Sequence, residues 1–100
     1  MGRATTKDEI LSQLRLSQDE LDRFHVKSLA VFGSAARGQL TDSSDIDILV
    51  EFSRTPTFDL YMDLKFFLED SLKRPVDLVT RKALKPAVKP TIEREAVYVS

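Results

Sequence analysis

The chain has no cysteine, which rules out disulfides, thiolate catalysis and cysteine-ligated zinc. It has a single histidine, His25, at an expected helix-to-strand junction. With no second imidazole or cysteine near it in sequence, a surface or junction role fits His25 better than metal ligation. No apolar stretch approaches the ~20 residues of a membrane span and no signal-peptide pattern opens the sequence, so a cytoplasmic location is expected. Met1-Gly2 with Thr6 matches a myristoylation pattern, one so short that chance accounts for it. Repeats, linkers and low-complexity segments are missing as well. A net charge of −1 provides no general attraction to nucleic acid or anionic lipid.

What is present describes one ordinary globular domain spanning residues 1–100, with 42% hydrophobic and 31% charged residues. Such a length supports a real core but not an elaborate two-domain enzyme. The charge is uneven. Residues 41–70 carry 2 basic and 8 acidic groups, whereas residues 71–100 carry 7 and 3. The basic segment suits either a triphosphate, an acidic partner or plain solvation.

Thr6-Lys7-Asp8-Glu9 matches a capping box and predicts a helix over about residues 7–15. A second box, Ser17-Gln18-Asp19-Glu20, predicts a shorter helix carrying Leu21 and Phe24. Lys27 to Phe32 and Asp45 to Phe52 read as strands. A helix is expected from Thr57, with Leu60, Tyr61, Leu64, Phe67 and Leu68 on its buried stripe. Met62 and Phe66 fall on a second side of that helix, where core packing is preferred to an exposed partner patch. Val76 to Thr80 predicts a third strand. Residues 81–89 form a loop and short helix interrupted by Pro86 and Pro90, residues 91–95 a helical turn, and residues 96–99 a closing strand.

The chemistry concentrates in residues 31–50. An apolar run stops at Gly33, whose backbone can approach a phosphate closely, and Ser34 adds a hydroxyl at the start of a short Ala-rich helical turn. In the next strand Asp45 and Asp47 are two apart and share a face, while Ile46, Ile48 and Val50 take the other. Two carboxylates ~4 Å apart at an effective dielectric of ~20 repel by roughly 4 kcal/mol, so they call for a cation or an elevated pKa. Hard oxygen donors without cysteine favour Mg2+ or Mn2+ over zinc. Arg37 is equally suited to contacting a phosphate and to anchoring the loop by an ion pair. Ser44 can reach a metal shell, although a local backbone hydrogen bond is its commoner use. Glu51 reads as a solvated edge charge. Asp77 sits inside an apolar strand, where a charge needs a reason, and its proximity in pattern to the Asp45-Ile46-Asp47 block favours a metal over plain solvation.

The blocks Gly33-Ser34-Ala35-Ala36-Arg37-Gly38, Ser44-Asp45-Ile46-Asp47-Ile48-Leu49-Val50 and Pro75-Val76-Asp77-Leu78-Val79-Thr80 together resemble the signature of the polymerase-beta-like nucleotidyltransferase superfamily, and in particular the minimal nucleotidyltransferase (MNT) antitoxins paired with HEPN-domain toxins. The resemblance implies an α/β (α+β) fold, a small mixed sheet with helices covering one face. It further implies Mg2+, two ions rather than one, held by Asp45, Asp47 and Asp77. ATP is the expected substrate, with its phosphates on Gly33 and Ser34, and Asp77 is a candidate base. In the MNT-type family the acceptor is a tyrosine of the HEPN ribonuclease toxin, so protein adenylylation of such a partner is the expected function. The alternative is an antitoxin that neutralises its partner by binding alone. Direct nucleic-acid binding is not expected.

Overall fold

The computed structural model describes residues 4–99, so the Met1-Gly2 pattern lies outside the described residues. The elements run α1 (Lys7–Leu16), α2 (Gln18–Arg23), β1 (Val26–Phe32), α3 (Gly33–Ala36), β2 (Ile46–Phe52), α4 (Phe58–Leu72), β3 (Val76–Thr80), a 3-10 turn (Arg81–Ala83), α5 (Lys89–Glu95) and β4 (Val97–Tyr98). Four strands form one mixed sheet in the order β3-β2-β1-β4, in which only β2 and β3 are parallel. Among the described residues no helix is long and apolar enough to cross a membrane.

Local chemistry accounts for most boundaries. The Thr6 hydroxyl accepts from the Glu9 amide and opens α1, and the Thr57 hydroxyl accepts from the Leu60 amide and opens α4. The second capping box departs from expectation. Ser17 is a turn residue between two abutting helices (φ −99°, ψ 16°), and its hydroxyl donates to the Gln13 carbonyl with no capping bond to α2. Pro90 does not break the chain's last helix. It stands in the first turn of α5, where its missing N–H is not needed.

The sheet's two faces differ. On one, Ile46, Ile48 and Val50 of β2 join Leu29 and Val31 of β1 and Val76 and Leu78 of β3, and α1, α2 and α4 cover them with Ile10, Leu14, Leu21, Leu64, Leu68 and Leu72. Fully burying side chains of this size contributes roughly 1.5–3 kcal/mol each. On the other face a smaller cluster of Ala30, Phe32 and Leu49 packs against Val79, Leu84, Ile92 and Ala96. The 3-10 turn and α5 therefore cover part of the second face. Phe66 is 56% exposed and Phe58 75% exposed, so part of the second side of α4 is solvated and not packed.

Helix α4 also closes the outer flank of β3. The Val76 amide donates to Glu69 Oε2 at 3.0 Å, and the Tyr61 hydroxyl donates to the Leu78 carbonyl. Burial, then the negative charge of Asp77, push the Tyr61 phenol above its ordinary pKa, so it remains a donor.

Candidate active site

Strand β1 delivers Gly33, and the antiparallel pairing of β1 with β2 sets Phe32 opposite Asp47. The parallel pairing of β2 with β3 sets Asp47 opposite Asp77. Register alone thus brings the glycine bend and two carboxylates to one end of the sheet, on the face away from the large core. Asp45 lies one residue before β2, at the end of the Thr41–Ser44 turn, and not within the strand as expected.

Gly33 is needed for two separate reasons. Its φ of +67° is left-handed, and a Cβ there would overlap the Asp47 carboxyl oxygen Oδ2. The Asp47 side chain therefore rests directly on the bend. Asp47 is half-buried, and Asp45 and Asp77 are exposed. Burial raises the Asp47 pKa most, the charges of Asp77 and then Asp45 raise it further, and Arg37 partly offsets them. Ser34 is half-buried in the first turn of α3.

The remaining expected site residues divide. Arg37 anchors its loop by an ion pair, and its charge also reaches the carboxylate site. Its Nη1 forms an ion pair with Glu95 Oε2 at 3.2 Å and its Nε donates to Gln39 Oε1 at 3.1 Å, yet its charge is felt at Asp47. Ser44 is turned to local use: its hydroxyl accepts from the Thr41 amide at 3.1 Å and bonds the Thr41 hydroxyl at 2.8 Å. Glu51 is not simply solvated. It lies 3.7 Å from Arg81 Nη1, and Arg81 also holds Glu93 at 2.5 Å.

One supporting residue was not foreseen. Arg74 is 3% exposed, and its guanidinium donates to the carbonyls of Ala4, Thr41 and Ser44. It braces the turn that presents Asp45. Its sequence context, Lys73-Arg74-Pro75 after a helix, announces a turn, and only the fold shows the arginine reaching inward. A guanidinium supplies several fixed donors and stays charged, which suits it to gathering carbonyls from separate segments.

The donor set around Asp47 is chemically suited to a hard divalent cation, because it consists of carboxylates whose mutual repulsion a doubly charged ion relieves. Among the described residues, however, no three histidine, aspartate or glutamate side chains are gathered into a ligand cage. Asp47 and Asp77 adjoin by register, and Asp45 stands on the approach to them.

The family described as "Nucleotidyltransferase domain" matches residues 11–99. The chain belongs to that family. It is 42% identical over 95 residues to the protein adenylyltransferase MntA of Thermococcus cleftensis, covering 94% of this chain and 96% of the relative. It is 46% identical over 98 residues to a protein of Methanocaldococcus jannaschii provisionally named a protein adenylyltransferase, covering 94% and 98%. A solved structure provisionally described as a minimal nucleotidyltransferase superposes with a TM-score of 0.84 at 30% identity, covering 96% of this chain and 98% of that one. The fold alone is shared with an MNT antitoxin solved in complex with a tri-AMPylated HEPN toxin of Shewanella oneidensis, at a TM-score of 0.59 and 19% identity, covering 88% and 71%. As a nucleotidyltransferase this chain thus has the mixed sheet and helices expected of a minimal member.

Proposed function

We propose that this nucleotidyltransferase is an antitoxin that transfers AMP from ATP to a tyrosine hydroxyl of a partner HEPN toxin. One piece of geometry carries most of the weight: the Asp47 carboxyl rests on the Gly33 bend and stands in register with Asp77. That juxtaposition supports a reading in which phosphates on the bend lie against cations at the carboxylates. The names of the relatives, protein adenylyltransferases, point to protein as acceptor.

Asp45, Asp47 and Asp77 would hold Mg2+ or Mn2+, two ions in the favoured arrangement, which when bound supply charge stabilisation to the entering and leaving oxygens. Gly33 and Ser34 receive the phosphates through the close backbone and the hydroxyl. Arg37, held by Glu95 beside Asp47, faces the same negative charge. The tyrosine oxygen forms a bond to the α-phosphorus as the bond to the bridging oxygen breaks, and pyrophosphate departs. Asp77, the exposed carboxylate, takes the phenolic proton. The partner protein brings its own hydroxyl, so the transfer itself requires no acceptor-binding domain.

The test is to incubate the purified chain with labelled ATP, Mg2+ and the protein product of the neighbouring gene. Label is expected on that protein, and Asp45→Asn combined with Asp47→Asn is expected to lower transfer by roughly a thousand-fold, as for loss of charge stabilisation at a reacting phosphate. The competing reading, neutralisation by binding alone, is favoured instead if the doubly substituted chain still protects cells from the toxin.

A further inference from the structure

A cavity of about 290 Å³ opens where β2 and β3 end, under the segment that leads into α4. The crevice beyond the carboxyl ends of parallel strands is a recurrent ligand position in open α/β sheets. This one does not coincide with the aspartates. Glu51, not Asp47, borders it, and four residues of strand correspond to ~13 Å.

Its lining is of two kinds. Phe52 and Pro56 provide apolar surface, whereas Arg54, Arg81 and Lys82 bring positive charge. Arg81 is already matched, by Glu51 at 3.7 Å and Glu93 at 2.5 Å. Arg54 and Lys82 are not: among the described residues neither forms an ion pair with a carboxylate, and the partner of Arg54 is the His25 ring, with Nη2 2.7 Å from Nε2. Glu51 is the one carboxylate in the lining, and Arg81 holds it.

We propose that this cavity binds a small organic anion, a single aromatic ring carrying a phosphate or carboxylate. The ring lies on Phe52 and Pro56, and the anionic group answers Arg54 and Lys82. Inorganic phosphate alone would leave the apolar surface uncovered, and a neutral ring would leave both cations unanswered. The volume stands at the lower edge of the range for small-molecule sites, room for one ring and one anionic group. The inference is independent of the adenylylation reading, because none of these residues contributes to the carboxylate site.

Phenyl phosphate is the probe, titrated into the 15N-labelled full chain and followed by amide chemical shifts. Saturable shifts are expected at Phe52, Thr55, Thr80 and Lys82, with binding about tenfold tighter than inorganic phosphate or benzyl alcohol, and Arg54→Ala combined with Lys82→Ala is expected to weaken it about tenfold. Both replaced side chains are exposed, so the fold should persist, and an unchanged melting temperature checks this. Asp45→Asn with Asp47→Asn should leave the titration as it was. Shifts centred on Gly33 and Asp47, equal affinity for inorganic phosphate, insensitivity to the Arg54 and Lys82 replacements, or no saturation by about 10 mM would each overturn the proposal.

Discussion

Ile46, Ile48 and Val50 are fully enclosed against α4, while Asp47 and Glu51, which alternate with them along the same strand, remain half-exposed and face mainly other charges. One seven-residue strand therefore has two opposite environments. The enclosed side gains from burial. The other side carries Asp47, whose partial burial and repulsion from Asp77 of β3 and from Asp45 ahead of the strand work against the folded state. This division assigns stability to one face and chemistry to the other, and each assignment can be tested by changing one face alone.

The largest stability effect should come from Ile48→Ala. Emptying a fully buried position costs about 2–5 kcal/mol of a total of about 5–15 kcal/mol. Chemical denaturation should show that loss, while transfer activity per folded molecule stays near its original value. A fall in activity far beyond the folded fraction would break the division.

Gly33→Ala should affect both properties, since this residue joins the faces. A left-handed non-glycine residue costs about 1–3 kcal/mol, and the added methyl meets the Asp47 carboxyl besides. Replacing Asp47 by alanine in the same chain should recover the steric part of the lost stability and none of the activity, as read by melting temperature and label transfer.

Asp47→Asn sharpens the comparison through pH. The folded pKa of Asp47 is raised, so the folded state binds more protons than the unfolded one in the window between the two values. The contribution of this carboxyl to stability is fully present below its unfolded pKa and is lost as pH rises through the higher folded pKa. The melting temperature of Asp47→Asn should therefore gain on the original as pH goes from about 3 to about 7. A constant difference would mean that burial and repulsion do not act on this group. The smallest effect is expected from Glu95→Gln, which releases Arg37 from a partly exposed ion pair. Such pairs contribute about 1 kcal/mol or less, so transfer should change by no more than about fivefold, chiefly in the KM for ATP.

The alternation of apolar and acidic residues in β2 made its two faces legible in the sequence, and the Gly33-Ser34 bend was legible because a glycine ended an apolar run. The pairing of Asp77 with Asp47 was visible only through resemblance, since sequence spacing does not specify which strands adjoin. Three features stayed hidden for a common reason: they depend on contacts between distant segments. Arg74 reaches back to Ala4 and across to Thr41 and Ser44, Arg37 meets Glu95 fifty-eight residues later, and Glu51 meets Arg81. Ser17 illustrates the opposite case, where a local pattern marked the start of a helix but its hydroxyl donates back to the preceding helix and accepts no capping bond from α2.

The way α4 holds the outer flank of β3 has a consequence for association. With the Val76 amide given to Glu69 and the Leu78 carbonyl receiving Tyr61, an incoming backbone finds no vacant rung at those two positions. Joining another molecule by lengthening the sheet is thereby discouraged beside the strand that carries Asp77. That aspartate's neighbourhood is left to be approached by protruding side chains, which is what the proposed transfer to a partner's hydroxyl requires.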